Sequence, residues 1–102
     1  MNQATITLDQ FRALMLAAGY DEVIERKWEP STKADTHTHL FEANALVVQG
    51  EMLLTVNGQS PRTLLPGDTF HLNPNVPHAE AYSAAGTTYW VARKNVAATP
   101  RA

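Results

Sequence analysis

Cysteine is absent from the 102 residues, and its absence excludes disulfide bonds, thiolate nucleophiles and thiolate metal ligands. No apolar run approaches the roughly 20 residues that a membrane-spanning helix needs, so we expect no membrane partner. The opening residues, "MNQATITLDQ", lack both the basic and the apolar segment of a secretory signal. These absences are typical of a cytoplasmic protein, and that is the localisation we expect.

Positive charge is also scarce. Lysine and arginine number 8 against 10 acidic residues, the formal net charge is −2, and the basic residues are scattered along the chain. Because phosphate backbones are bound by concentrated basic surfaces, nucleic acid is not an expected partner. The composition, 44% hydrophobic and 18% charged, is instead typical of one globular domain of this length.

A helix is predicted in the first 21 residues, within "TLDQFRALMLAAGY". Asp9 is the expected N-cap, and Gly19 stands where a residue of left-handed conformation would end the helix. We expect residues 1–21 to form this short helix and a lead-in to the rest of the chain. The apolar residues that recur at helical spacing are Phe11, Leu14, Met15 and Ala18.

Short strands are predicted over residues 22–95, and residues 96–102 form a small polar tail. "DEVIERKWEP" alternates with a period of two, and later apolar runs are separated by turn signals, among them the hairpin signal Asn57-Gly58. So many short strands in one small chain predict an all-β fold. We expect an antiparallel β-barrel or sandwich, with the helix packed against one end or edge.

Two of the four histidines, His37 and His39, are separated by a single residue. Alternate residues of a strand project from the same face, so these imidazoles would lie side by side. That arrangement suits two ligands of one metal ion, and it equally suits two polar residues on a solvated face. His78 follows a proline turn and would arrive from a different strand, which makes the combination more specific than the pair alone.

The order of these histidines among turn residues resembles the two half-motifs of the cupin superfamily, which are small RmlC-like jelly-roll barrels. The resemblance covers roughly the stretch from Ser31 to Tyr82, about half of the chain. It implies a cupin β-barrel with a short N-terminal helix added to it. The matching positions are His37, His39 and Gly50 in the first half-motif and Gly67 and His78 in the second.

The chain departs from the cupin pattern at several positions. Ala43 stands where the first half-motif has its glutamate, and the nearest acid, Glu42, comes one residue early. Asn75 replaces a glycine, which is a mild change because asparagine tolerates a left-handed backbone. The remaining replacements are Ser31 for the leading glycine and Tyr82 for the final asparagine.

The resemblance implies a divalent transition metal, namely Zn, Fe, Ni, Mn or Cu, bound by His37, His39 and His78. Two alternatives remain open for the fourth position. A β-bulge could turn Glu42 inward as a ligand, or the site could have three histidines and open positions for water and substrate. We favour the three-histidine site. His71 is a further candidate, either for the metal or for holding a ligand in orientation, but we favour a position at the barrel mouth or on the outer face.

A barrel of this size has room for one small molecule, which is the partner we expect. The resemblance implies either an enzyme of the dioxygenase, isomerase, lyase or decarboxylase class or a non-enzymatic binding or sensing module. The residues do not decide between these two functions. The pocket residues that we expect are Phe41, Tyr82, Trp28 and Trp90.

A homodimer is the expected assembly. The predicted strand "DEVIERKW" carries Ile24 and Trp28 on one face, and an uncovered edge strand favours pairing with another chain. The N-terminal helix also carries more apolar surface than a small barrel can cover. A twofold dimer would bury both surfaces.

Overall fold

A computed structural model describes residues 6–95 of the chain. The predicted tail, residues 96–102, lies outside the described residues, as do residues 1–5. One short helix precedes antiparallel strands, which confirms the all-β prediction with its N-terminal helix. No helix among the described residues is long and apolar enough to cross a bilayer. The elements are α1 Leu8–Ala17, β1 Glu22–Trp28, β2 Lys33–His37, β3 Phe41–Val56, β4 Arg62–Leu64, β5 Thr69–Leu72 and β6 His78–Asn95.

Helix α1 begins with a capping box that involves Thr7 and Gln10. The Thr7 hydroxyl accepts a hydrogen bond from the Gln10 backbone N–H at 3.1 Å, and the Gln10 side chain accepts one from the Thr7 N–H at 2.9 Å. The prediction of Asp9 as N-cap is therefore wrong by two residues, and Asp9 lies in the first turn of the helix. Gly19 follows the C-cap with a φ of 102°, as expected for a residue that ends a helix.

The fold is built on two long strands, β3 and β6, which pair antiparallel along their length. Phe41 pairs with Asn95 at one end, and Val56 pairs with His78 at the other. β1 and β2 pair with different parts of β6, whereas β4 and β5 pair with different parts of β3. The apolar runs "NALVVQ" and "EMLLTV", which lie on either side of Gly50, both belong to β3. Because His37 is in register with His78, β6 brings two distant histidines together.

The β3–β6 ladder is irregular where two glycines meet. Register shifts occur between Val47 and Gln49 and between Gly50 and Met52. Gly50 has a φ of 76°, and a Cβ atom built on it would overlap the carbonyl oxygen of Gly86. Only a residue without a side chain fits at this close approach of two backbones.

Two apolar clusters lie on the two sides of the β1–β6–β3 strands. The smaller cluster packs helix α1 against the sheet and includes Phe11, Val23, Trp90 and Ala92. The larger cluster is the interior core between the two halves of the long strands. It contains Ala43, Ala45, Val47, Met52, Leu54, Leu64, Phe70, Leu72, Tyr82, Tyr89 and Val91.

Candidate metal centre

Three histidines converge at one end of the interior core. Their candidate ligand nitrogens all lie within 4.8 Å of one another. The ring centroids of His37 and His78 are 4.4 Å apart, and that of His39 lies 4.7 Å from His78 and 4.9 Å from His37. The sequence analysis expected these three histidines to lie together, but it expected His37 and His39 to be on one strand. β2 ends at His37, and His39 lies in the following loop rather than on a regular strand.

The loop that carries His39 is held by a residue of unusual conformation. The backbone N–H of Asn75 donates a hydrogen bond of 2.7 Å to the carbonyl of His39. Asn75 has a φ of 65°, and Ser31, at the other replaced glycine position, has a φ of 59°. Both residues thus adopt the left-handed conformation for which glycine is the usual choice.

Backbone carbonyls determine which ring nitrogens of the histidines face the centre. The carbonyl of Val76 lies 2.9 Å from Nδ1 of His78, and that of Asp35 lies 2.6 Å from Nδ1 of His37. A carbonyl can only accept, so each Nδ1 carries a proton and each neutral ring presents an Nε2 lone pair to the centre. Carbonyl contacts of this kind orient metal-binding histidines in proteins.

Nε2 of His78 has the character of an unused ligand atom. The His78 residue is 1% exposed, and its Nε2 is buried without a hydrogen-bond partner among the described residues. A buried polar atom without a partner is costly, and a bound cation would satisfy it. The side chain of His37 is 35% exposed, so the group is open to solvent on that side.

Sequence reasoning missed Glu80, a buried acid beside these histidines. Its Oε2 lies 3.4 Å from Nε2 of His78 and 4.0 Å from Nε2 of His37. The Tyr82 hydroxyl donates a hydrogen bond to Oε1, and the Tyr89 hydroxyl lies 3.5 Å from the same oxygen. Alternation along "HAEAY" places the side chains of His78, Glu80 and Tyr82 on one face, and that period was the signal available.

The histidines differ in their affinity for a proton. Burial, followed by repulsion from His78 and His37, lowers the pKa of His39 to about 4. Burial also acts to lower the pKa of His78, but the contacts with the Glu80 carboxylate and the Val76 carbonyl outweigh it, so this pKa is raised. The metal-free group therefore takes up its proton at His78 in preference to His39.

Three of the four predicted pocket residues lie on the interior side. Phe41 stacks on the ring of His39 at 4.5 Å, and Trp28 stacks on Tyr82 at 4.6 Å. The prediction is wrong for Trp90, which belongs to the cluster beneath helix α1. Its indole N–H donates a hydrogen bond of 3.1 Å to Glu25. The register shift at the two glycines changes which side chains of β6 face inward.

Glu42 and His71 lie together, away from the histidine group. The Glu42 carboxylate is 2.6 Å from Nε2 of His71 and accepts a hydrogen bond of 3.3 Å from the Tyr20 hydroxyl. Regular alternation explains this, since Ala43 takes the buried position and Glu42 points to the helix side. The contact with His71 holds the pKa of Glu42 below its usual value. Neither side chain joins the group of possible ligands.

Comparisons with known proteins agree with this architecture. The profile of the family described as "Cupin domain" matches residues 25–91. No curated protein sequence matches the chain significantly. A chain from the crystal structures of the DMSP lyases RdDddP and RnDddQII is 25% identical, with a TM-score of 0.69 over 78% of this chain and 41% of that one.

Two further solved structures share the fold. The DMSP lyase DddQ from Ruegeria pomeroyi is 21% identical, with a TM-score of 0.70 over 80% of this chain and 42% of that one. A cupin-like protein from Thermotoga maritima is 22% identical, with a TM-score of 0.67 over 78% and 60%. The present chain thus spans less than two thirds of the length of each of these proteins.

Proposed function

Because the chain belongs to the cupin domain family, we propose that it is a small metal-dependent enzyme that acts on an organic acid. His37, His39 and His78 would hold the metal, which the imidazole set allows to be Zn, Fe, Ni, Mn or Cu. The observation that carries this proposal is the buried Nε2 of His78, for which residues 6–95 offer no hydrogen-bond partner while its Nδ1 is held by a carbonyl.

A divalent metal bound here would supply Lewis-acid polarisation of a substrate oxygen. The chain's own residues would position the substrate. His37 and His39 are partly exposed, so a small molecule would approach from their side, and Phe41 would cover one side of His39. The stacked pair of Trp28 and Tyr82 would limit the depth of the pocket.

Arg93 supports an anionic substrate. Its guanidinium lies over the ring of Phe41 at 4.5 Å, and that ring stacks on His39. Nε of Arg93 is buried without a hydrogen-bond partner among the described residues, and the nearest ion pair of the side chain, with Glu22, is 3.9 Å long. The guanidinium therefore has donor capacity for a substrate carboxylate, a group that arginine binds well.

Among the reaction classes open to this fold, we propose the lyase class, which includes decarboxylation. Two of the similar solved structures are of lyases, and an organic acid agrees with the charge of Arg93. The fold by itself does not select a reaction, because one barrel can host many chemistries.

The test of this proposal uses untagged protein loaded separately with Fe²⁺, Zn²⁺, Mn²⁺, Ni²⁺ or Cu²⁺. Each form is incubated with a panel of small organic acids, and proton NMR follows their consumption. We expect conversion of at least one acid that depends on the metal and is lost in His39→Ala. Saturable binding of an acid without conversion would instead identify a binding or sensing module.

We also propose that the chain forms a homodimer. β1 lies at the edge of its sheet, and helix α1 exposes Leu14 to 57% on the face that it shares with Ala13 and Ala17. An uncovered edge strand and an apolar helix face are together the kind of surface that a twofold partner covers.

A further inference from the structure

The glutamate of the first cupin half-motif is missing from this chain, and another carboxylate lies close enough to the three histidines to be a metal ligand. We propose that Glu80 is the fourth protein ligand of the metal, supplied by β6 instead of β3. This inference rests on the proposed metal site of His37, His39 and His78. It gives the centre three imidazoles and one carboxylate, with the acid two residues after the last histidine rather than four or five after the pair.

Two of the distances around Glu80 suit a ligand, but its carboxylate is not among the atoms that all lie within 4.8 Å of one another, so it would have to move toward His39 when a metal binds. Ligand atoms roughly 2.1 Å from a tetrahedral metal lie about 3.4 Å from each other. Oε2 of Glu80 and Nε2 of His78 are 3.4 Å apart, a separation longer than most hydrogen bonds. Oε2 is also 4.0 Å from Nε2 of His37, whose partly exposed side chain has room to adjust.

The buried charge of Glu80 requires a positive partner. The residue is 6% exposed, and a carboxylate at such a position is costly unless it is paired. Among the residues that the structure describes, no lysine or arginine forms an ion pair with it, and its close ionic contacts are with His78 and His37. The pair is satisfied by a proton on Nε2 of His78 in the metal-free protein, and a metal ion bound by both side chains would take the place of that proton.

Two tyrosine hydroxyls lie at the other carboxylate oxygen of Glu80, Oε1. Oε1 accepts from the Tyr82 hydroxyl and has the Tyr89 hydroxyl 3.5 Å away. Hydrogen bonds on the oxygen that does not face the metal orient a carboxylate ligand. Tyr82 is thus a positioning residue, at the place of the family's asparagine.

The test measures Co²⁺ affinity by competition with a chromophoric chelator. Glu80→Gln keeps the volume and removes the negative charge, and Glu42→Gln is the matched control on the other side of β3. We expect Glu80→Gln to weaken Co²⁺ binding by about 100-fold, Tyr82→Phe by about 10-fold, and Glu42→Gln by less than about twofold. A structural ion pair between Glu80 and His78 predicts instead that Glu80→Gln binds Co²⁺ as well as the wild type, and that result would overturn the assignment.

A second measurement avoids any variant at this buried position. The chain has six glutamates, which can be labelled with ¹³C at the side-chain carboxyl carbon. One equivalent of Zn²⁺ should shift one glutamate signal strongly. Zn²⁺ should shift the same signal in the Glu42→Gln variant. If Zn²⁺ binds tightly and no glutamate signal shifts, Glu80 is not a ligand although the three histidines are. If neither Co²⁺ nor Zn²⁺ binds, the proposed function itself fails.

Discussion

The Glu42 carboxylate lies 2.6 Å from the ring of His71, on the helix side of β3 and away from the three convergent histidines. Tyr20 follows helix α1 in the chain, and its hydroxyl donates a hydrogen bond to the same carboxylate oxygen. These three side chains join the helix region to β3 and β5. The acid nearest to the expected ligand position in sequence therefore has a structural partner of its own.

Replacing Glu42 by Gln should leave metal binding unchanged and lower the free energy of unfolding by about 0.5–1 kcal/mol at neutral pH. The folded-state pKa of Glu42 is lowered, so its contribution is present above the ordinary value of 4.5 and is lost as the pH falls below it. Urea unfolding of both proteins at pH 7 and pH 3 checks this. A difference that persists undiminished at pH 3 would contradict the assigned cause.

Replacing His78 by Ala should remove most of the bound metal from untagged protein while the barrel stays folded. His78 is buried at the first position of β6, and its backbone pairing with Val56 does not depend on the imidazole. Elemental analysis measures the metal, circular dichroism measures the fold, and the exposed His71→Ala is the control. Full metal occupancy in His78→Ala would refute the three-histidine site.

In metal-free protein, NMR titration should find His39 with a pKa of about 4 and His78 above the ordinary value of 6.5. The sign of the effect on stability differs between them. Unfolded His39 takes up a proton near pH 6.5 and folded His39 does not, so its contribution to stability is lost as the pH falls from about 6.5 to 4. The contribution of His78 is present below pH 6.5 and is lost as the pH rises through its folded value. Equal pKa values for the two rings would contradict the predicted difference in proton affinity between His39 and His78.

Gly50→Ala should destabilise the protein far more than Gly58→Ala. Both glycines have a positive φ, 76° and 75°, so alanine costs about 1–2 kcal/mol at either position from the backbone alone. A Cβ at Gly58 meets open space, whereas one at Gly50 overlaps the carbonyl of Gly86 and adds about 1–3 kcal/mol. Thermal unfolding of the two variants gives the comparison, and similar melting temperatures would exclude the close approach.

Sedimentation at micromolar concentration should give twice the chain mass of 11.2 kDa, because a dimer would cover β1 and the apolar face of helix α1. Leu14→Asp, on the exposed helix face, should shift the protein toward monomer. Gln59→Glu, at an exposed position after β3, is a control of the same charge change away from the helix. A wild-type mass of one chain would exclude the dimer.

The strands and the histidine group could be predicted because both depend on local period and on turn residues. Asn75 tolerated the left-handed backbone as expected, and the Asn57-Gly58 turn is present, although the connection from β3 to β4 runs longer than two residues. The continuity of β3 through Gly50 could not be read, since a glycine between apolar runs is also a common sign of a turn.

Side-chain placement near irregularities was less predictable. Trp90 was expected in the pocket as one of the chain's aromatic residues, but the register shift beside Gly50 turns it toward the helix. Glu80 was missed for a different reason: the acid was sought where the family carries it, at Ala43. The period of two along β6 placed Glu80 beside His78 on the same face, and its partner Tyr82 is visible only as a replacement for asparagine.

The pairing of β6 with both β2 and β3 also sets an order of folding. The Val56–His78 end of the β3–β6 ladder closes the shortest loop, so it should form before the Phe41–Asn95 end. β2 can dock only on a β6 that already exists, and His37 therefore joins His78 late. An ion bound by both histidines would stabilise contacts that form after the folding transition state. It should therefore slow unfolding and leave the folding rate unchanged.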